Sequence, residues 1–148
     1  MPANPLIGVL VVVVVLALAT VAGILWRRRD GRVRQIAPPP EGEPVPSIPA
    51  SLGLSLASPV TLVQFSSAVC APCRVARRVC GEVAAEFPGV RHVEVDAERH
   101  LDAARELGIW RTPTVLVVDV TGRVVHRASG APARQDLIDA VTPMLAAA

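Results

Sequence analysis

The distribution of apolar positions begins with one long run. From Pro5 to Trp26 the chain carries no charged side chain and is mostly Val, Leu, Ile and Ala. At about 1.5 Å per residue a helix of that length crosses a hydrocarbon core of roughly 30 Å, so residues 5–26 read as one transmembrane helix. A buried core helix would need a domain large enough to surround it. A cleaved signal peptide normally carries a basic region ahead of a shorter apolar core. Nothing basic precedes this run except the terminal amine, and the small-residue stretch Ala17-Leu18-Ala19 lies inside it, so the segment reads as an uncleaved anchor.

Residues 27–50 change character. Arg27, Arg28, Arg29, Arg32 and Arg34 follow the apolar run, and Pro38, Pro39, Pro40, Pro44, Pro46 and Pro49 then recur among small and acidic residues. Proline fixes φ and removes a backbone donor, so regular helix or sheet is disfavoured from Gln35 to Pro49. The stretch reads as a semi-extended tether, which at roughly 3 Å per residue would hold a domain tens of ångströms from the bilayer. A Pro-rich recognition ligand is the other reading, but no P-x-x-P segment here has the usual flanking arginine.

Beyond the tether, apolar runs of strand length alternate with amphipathic stretches. Val60 to Ser66 reads as a buried strand, Cys73 to Phe87 as a helix, Val90 to Val95 as a strand and Leu101 to Leu107 as a short helix. Thr114 to Val120 and Arg123 to Ala128 read as strands about a Thr121-Gly122 hairpin turn, and Arg134 to Leu145 as a closing helix despite Pro143. The order β-α-β-α-β-β-α over residues 51–148 predicts an α/β domain, a central mixed sheet with helices on both faces.

Charge adds orientation and removes one class of function. The net charge of +2 comes from 15 arginines and 13 acids, with no lysine. Five of those arginines lie between residues 27 and 34, so the rest of the chain is slightly acidic and nucleic-acid binding has no support. Basic flanks prefer the cytoplasmic side, which predicts a single-pass protein of the cell membrane with everything after residue 26 in the cytoplasm and Trp26 at the interface. Dithiols there are mostly kept reduced.

Candidate chemistry is concentrated in Cys70-Ala71-Pro72-Cys73, placed between a strand and a helix. Two thiols two residues apart at a helix N-terminus close into a small disulfide ring, and the helix dipole with its free amides favours the thiolate of the first. Three cysteines in a chain of this size do not describe a disulfide-stapled scaffold. Cys80 stands two helical turns beyond Cys73, roughly 10 Å along the axis, too far for a disulfide, and reads as core. Cys70, Cys73 and Cys80 could be imagined on zinc, but a structural zinc wants four ligands and no second CxxC exists, so no metal is expected. Nor is a cofactor. His92, His100 and His126 read as partly exposed strand or helix residues, and Arg74, Arg77 and Arg78 as a solvated helix face, with Arg74 able to favour a thiolate beside it.

Taken together, these residues resemble the thioredoxin family over most of Val60 to Gly130. The resemblance lies in a strand ending four residues before the C-x-P-C turn, Val95-Asp96 at the end of the next strand, Gly108-Ile109 before Thr112-Pro113-Thr114, and glycines at 122 and 130. It implies a thioredoxin-like fold in which the bond before Pro113 is cis and its loop packs against the dithiol. It also implies a thiol–disulfide oxidoreductase acting on protein disulfides, with Cys70 as nucleophile and Cys73 as the resolving thiol. Ala71 and Pro72 would form the turn. The Thr112 backbone before Pro113 would pair with an extended substrate segment, bordered by Trp110 and Arg111. The sequence names neither the substrate nor the electron donor.

Two departures bear on that expectation. The family commonly has a buried Asp six residues ahead of the first Cys, where this chain has Gln64, and a Trp just before that Cys, where it has Val69. An amide cannot act as a carboxylate base, so proton transfer at Cys73 would need another group. These departures motivate the alternative, a thioredoxin-like binding or scaffold module without efficient turnover. The stretch before Val60 is short as well, with at most Ile48 to Leu56 to represent the family's first strand and helix.

Overall fold

The computed structural model describes residues 5–37, 40 and 44–147, without the side chains of 5 and 26–29. The interfacial placement expected of Trp26 and of Arg27, Arg28 and Arg29 lies outside the described residues, as do Pro38 and Pro39 of the expected tether. Two compact units make up the chain, Met1–Asp30 and Gly31–Ala148.

The first unit is helix α1, Pro5–Arg29. Its apolar portion, Leu6–Leu25, is 20 residues long, enough to cross a membrane, and none of it is buried in protein. A helix apolar all round and unburied is not a core helix. The Thr20 hydroxyl donates to the Leu16 carbonyl at 2.7 Å, which satisfies the most polar side chain of the span locally.

The second unit is built on a five-stranded mixed sheet in the order β1-β5-β4-β2-β3. Its elements are β1 (Val33–Gln35), β2 (Val60–Ser66), α2 (Ala71–Glu86), β3 (Val90–Asp96), α3 (Leu101–Glu106), β4 (Thr114–Asp119), β5 (Val124–Ser129) and α4 (Arg134–Ala146). A short 3-10 turn, Ala50–Leu52, precedes β2. Strand β2 pairs in parallel with β3 and antiparallel with β4, and β4 pairs antiparallel with β5. This is the expected α/β sandwich, with element bounds within two residues of the sequence reading.

Period-2 alternation sorts the core. Val60 and Leu62 of β2, Val90 of β3 and Val115 and Val117 of β4 face Ala76, Cys80 and Val83 of α2 and Leu137, Ala140 and Val141 of α4. Val63 and Phe65, Val95, and Leu116 and Val118 face the other way, onto Ala104 of α3 and Ile109. Both faces are therefore covered, which is why β2 and β4 are buried almost throughout and read as near-continuous apolar runs. A register shift at Val117/Val118 changes the parity of β5, so that Val124 and Ala128 lie on opposite faces. At the hairpin, the Asp119 carboxylate accepts from the Thr121 amide and hydroxyl and from the Arg123 amide. Burial raises the Asp119 pKa, but these hydrogen bonds outweigh it and leave the group below its ordinary value.

One part of the expected tether is corrected. Residues 33–35 form β1, paired antiparallel with β5 through Val33↔Ala128, Arg34↔Arg127 and Gln35↔His126. Only Asp30, Gly31 and Arg32 separate this strand from the end of α1. Gly31 adopts φ +78, and a Cβ there would collide with the Ala131 carbonyl oxygen, so the entry to β1 needs glycine. Ser47 bridges to Arg123, and Ile36, Ile48, Leu52, Leu54 and Leu56 pack against the α3-side core. Among the described residues after β1, the chain is thus back at the sheet by Ser47. If β1 is structural, Val33→Asp lowers the unfolding free energy by about 1–3 kcal/mol through a poorly solvated charge, where a solvated tether would register within about 0.5 kcal/mol. Urea denaturation of the full chain measures the difference.

Candidate active site

Strand β2 delivers the chain to the dithiol, and α2 starts on it. Cys70 is the N-cap of α2 and Cys73 lies in the first turn, with Pro72 at a position where a missing amide costs nothing. The two cysteines are joined in a disulfide with Cα atoms 5.3 Å apart. Cys70 Sγ accepts from the Cys73 amide at 3.2 Å, the role a Ser or Asp oxygen plays at other helix starts. No acidic residue occupies the first turn of α2. The exposed N-terminus of a 16-residue helix, with Arg74 next in sequence, therefore presents a positive environment to the sulfur of Cys70. Exposure differs between the two thiols: Cys70 is half-buried and Cys73 only 2% exposed.

The Thr112–Pro113 peptide bond is cis, and the loop that carries it meets the dithiol loop. Ser67 and Thr112 share a hydroxyl–hydroxyl hydrogen bond of 3.1 Å. The loop is fixed from behind: the Gly130 amide donates to the Pro113 carbonyl at 2.7 Å, and Arg111 to the Ser129 carbonyl at 2.8 Å. Arg127 donates to the carbonyls of Leu107 and Gly108 at 2.8 and 2.6 Å, holding the turn that leads out of α3. Pro113 is buried and Thr112 half-buried, while Trp110 is 84% and Val69 98% exposed. Ala71 and Pro72 are exposed as well. The Ser67–Thr112 hydrogen bond thus brings the loop of Thr112 and Pro113 to the loop that leads into the dithiol.

Cys80 is fully buried in the α2–α4 core, and desolvation pushes its thiol up to about 12. It stays protonated at neutral pH and belongs to the packing, as its spacing indicated. Among the described residues no cluster of three or more His, Cys, Asp or Glu could hold a metal ion.

The sequence reading missed His92. The fully buried Gln64 donates from Nε2 to the Cys73 carbonyl at 3.1 Å and meets His92 Nε2 at 3.2 Å with Oε1. His92 is half-buried, the partly exposed strand residue expected, but it has a buried partner in Gln64, and burial holds its imidazole below the ordinary value, opposed by Glu94 and helped by Arg77. Arg77 binds Glu94 through two 2.7 Å hydrogen bonds, and Ser66 donates to the same carboxylate at 2.6 Å. The signal for this was parity: Leu62 pairs with His92 and Gln64 with Glu94, so even-numbered β3 residues share the α2 face with Gln64.

The family model for thioredoxin matches residues 53–143. The chain belongs to the thioredoxin family. A thioredoxin of Methanocaldococcus jannaschii is 34% identical over 89 residues, 60% of this chain and 99% of that protein. One of Chlamydia muridarum is 30% identical over 88 residues, 60% of this chain and 85% of the relative. The crystal structure of thioredoxin NaTrxh from Nicotiana alata superposes with a TM-score of 0.53 at 26% identity, covering 61% of this chain and 77% of that one. As a thioredoxin-family protein with a closed Cys70–Cys73 pair, this chain is a thiol–disulfide oxidoreductase.

Proposed function

We propose that this protein is a membrane-tethered oxidoreductase that exchanges disulfides with protein substrates through Cys70 and Cys73. The observation that carries the proposal is the pairing of a half-exposed sulfur, capped by the Cys73 amide at a helix start, with a buried partner beside the Thr112–Pro113 loop. In the reducing direction the Cys70 thiolate attacks one sulfur of a substrate disulfide. The new Cys70–substrate bond forms as the old bond breaks, and the released substrate sulfur takes up a proton. Cys73 then gives up its proton and attacks the Cys70 sulfur, the second substrate thiolate leaves, and the Cys70–Cys73 disulfide remains for an electron donor to reduce. An extended substrate segment pairs with the backbone at Thr112 by strand addition, with Trp110 and Arg111 at its border. The turn residues Ala71 and Pro72 keep the thiols at ring-closing distance.

Leu6–Leu25 is the proposed anchor in the lipid bilayer, and the five arginines that follow it favour a cytoplasmic domain. Turnover is tested on the full chain in detergent or bilayer discs by reduction of insulin with dithiothreitol. A rate above that of the Cys70→Ser/Cys73→Ser double variant supports the reading. A rate equal to it returns the protein to a binding or scaffold role. A reporter fused after residue 148 fixes the side of the membrane, and activity outside the cytoplasm would overturn the topology.

A further inference from the structure

Gln64 is a fully buried, uncharged polar side chain on β2, and both ends of its amide are used. The Cys73 carbonyl can only accept, so the amide nitrogen faces it and Oε1 faces His92. His92 Nε2 must then carry a hydrogen, which leaves Nδ1 as the ring atom that gains or loses a proton. The other main-chain group of Cys73 donates to Cys70 Sγ. Hydrogen bonds therefore lead from His92 to Gln64 and from Gln64 to the Cys73 carbonyl, while the Cys73 amide, in the preceding peptide unit, donates to the Cys70 sulfur, so Gln64 holds the residue that caps Cys70.

We propose that His92 is a positioning residue acting through Gln64, so that the charge on its imidazole and the redox state of the Cys70–Cys73 pair are coupled. The proposal rests on the reading of this pair as the exchanging thiols. Reduction adds two electrons and two protons to the disulfide, and ionisation of Cys70 then returns one proton. The resulting thiolate and the imidazole lie on opposite sides of Cys73, whose backbone is hydrogen-bonded to Cys70 Sγ and, through Gln64, to His92. Negative charge at the sulfur favours the imidazolium, and by reciprocity the imidazolium favours the thiolate. The charged groups that face His92 are Arg77 from α2 and Glu94 from β3 itself, and they neutralise each other in a bidentate pair. From β2 the facing group is the neutral Gln64. Burial holds the His92 imidazole below its ordinary value in the disulfide form, and its titration moves upward in the dithiol form.

The test is an NMR titration of histidine-labelled full chain in bilayer discs, in disulfide and dithiol forms, with His92 assigned by the loss of its signal in His92→Gln. We expect His92 to titrate about half a pH unit or more higher in the dithiol form, the size of a unit charge felt through a partly screened interior. That difference disappears in Gln64→Leu. In His92→Gln, which keeps a donor toward Gln64 but cannot titrate, the alkylation rate of Cys70 loses the low-pH inflection it has in the parent chain. Equal titration of His92 in both redox forms overturns the proposal, as does an unchanged alkylation profile in His92→Gln, a variant that does not depend on the folding of Gln64→Leu. Neither readout uses a protein substrate. Coupling without insulin reduction would sink the proposed function alone, and insulin reduction without coupling would sink this proposal alone.

Discussion

Cys70→Ser is expected to reduce insulin no faster than dithiothreitol alone, and Cys73→Ser to accumulate covalent complexes with substrate that non-reducing gels resolve and excess dithiothreitol dissolves. The asymmetry follows from where α2 places its first turn. Cys70 is half-exposed at the helix N-terminus and hydrogen-bonded by the Cys73 amide, so its thiolate is both stabilised and reachable. Cys73 is 2% exposed and can reach only a sulfur already bound at Cys70. Removing Cys70 deletes the first displacement, and the remaining thiol is too buried to replace it. Removing Cys73 leaves the first displacement intact and deletes the second, which strands the mixed disulfide. Cys80 does not blur the readout, because a fully buried thiol held near 12 contributes no thiolate. Trapping by Cys70→Ser instead would reverse the two roles, and trapping by neither would remove the exchange mechanism.

Those two positions were legible because their signal is local: a C-x-P-C turn between an apolar strand and an amphipathic helix. The five elements from β2 to β4 and the closing β5–α4 unit were legible for a related reason. Strands β2 and β4 are buried on both faces, so their apolar runs stand out from the sequence without reference to their neighbours. Strand β1 was not legible. It is three residues long, includes Arg34, and lies between an arginine-rich stretch and a Pro-rich one. Its backbone is extended because β5 offers an edge to pair with, and a sequence window around Val33 holds nothing of β5. The other edge was legible as a shortage of chain: at most Ile48 to Leu56 stood for the family's first strand and helix, those residues form a 3-10 turn and apolar contacts below α3, and among the described residues β3 ends the sheet. Gln64 was noticed as a departure because its position relative to Cys70 is fixed along the chain. Its partner His92 lies 28 residues away, and only the parallel register of β2 and β3 brings the two side chains to one face.

Phe65→Ala costs about 3–5 kcal/mol of unfolding free energy, the largest loss expected from any single core truncation here. Phe65 heads the fully buried side chains by size, in a chain with only two phenylalanines and a core otherwise made mostly of Val, Leu and Ala. Its ring faces the α3 side among Val63, Val95, Leu116, Val118 and Ile109. β-branched neighbours are stiff at χ1 and their strands are tied on both sides, so the space left by a phenyl group is filled poorly and the cavity contribution is near its maximum. Domains of this size are stable by about 5–15 kcal/mol, so the variant loses a large fraction of the total, and its thermal midpoint drops by roughly 10 °C or more. Phe65→Leu, which refills much of the volume, costs less than about half as much. The site suffers together with the fold, because Phe65 immediately precedes Ser66, which binds Glu94, and Ser67, which binds Thr112. Urea denaturation of the full chain, followed by exchange of the β2 and β4 amides so that α1 does not contribute, measures both effects. A loss below about 1 kcal/mol would mean that the α3-side core repacks around the gap and that the dithiol and Thr112–Pro113 loops are held together by their own hydrogen bonds alone.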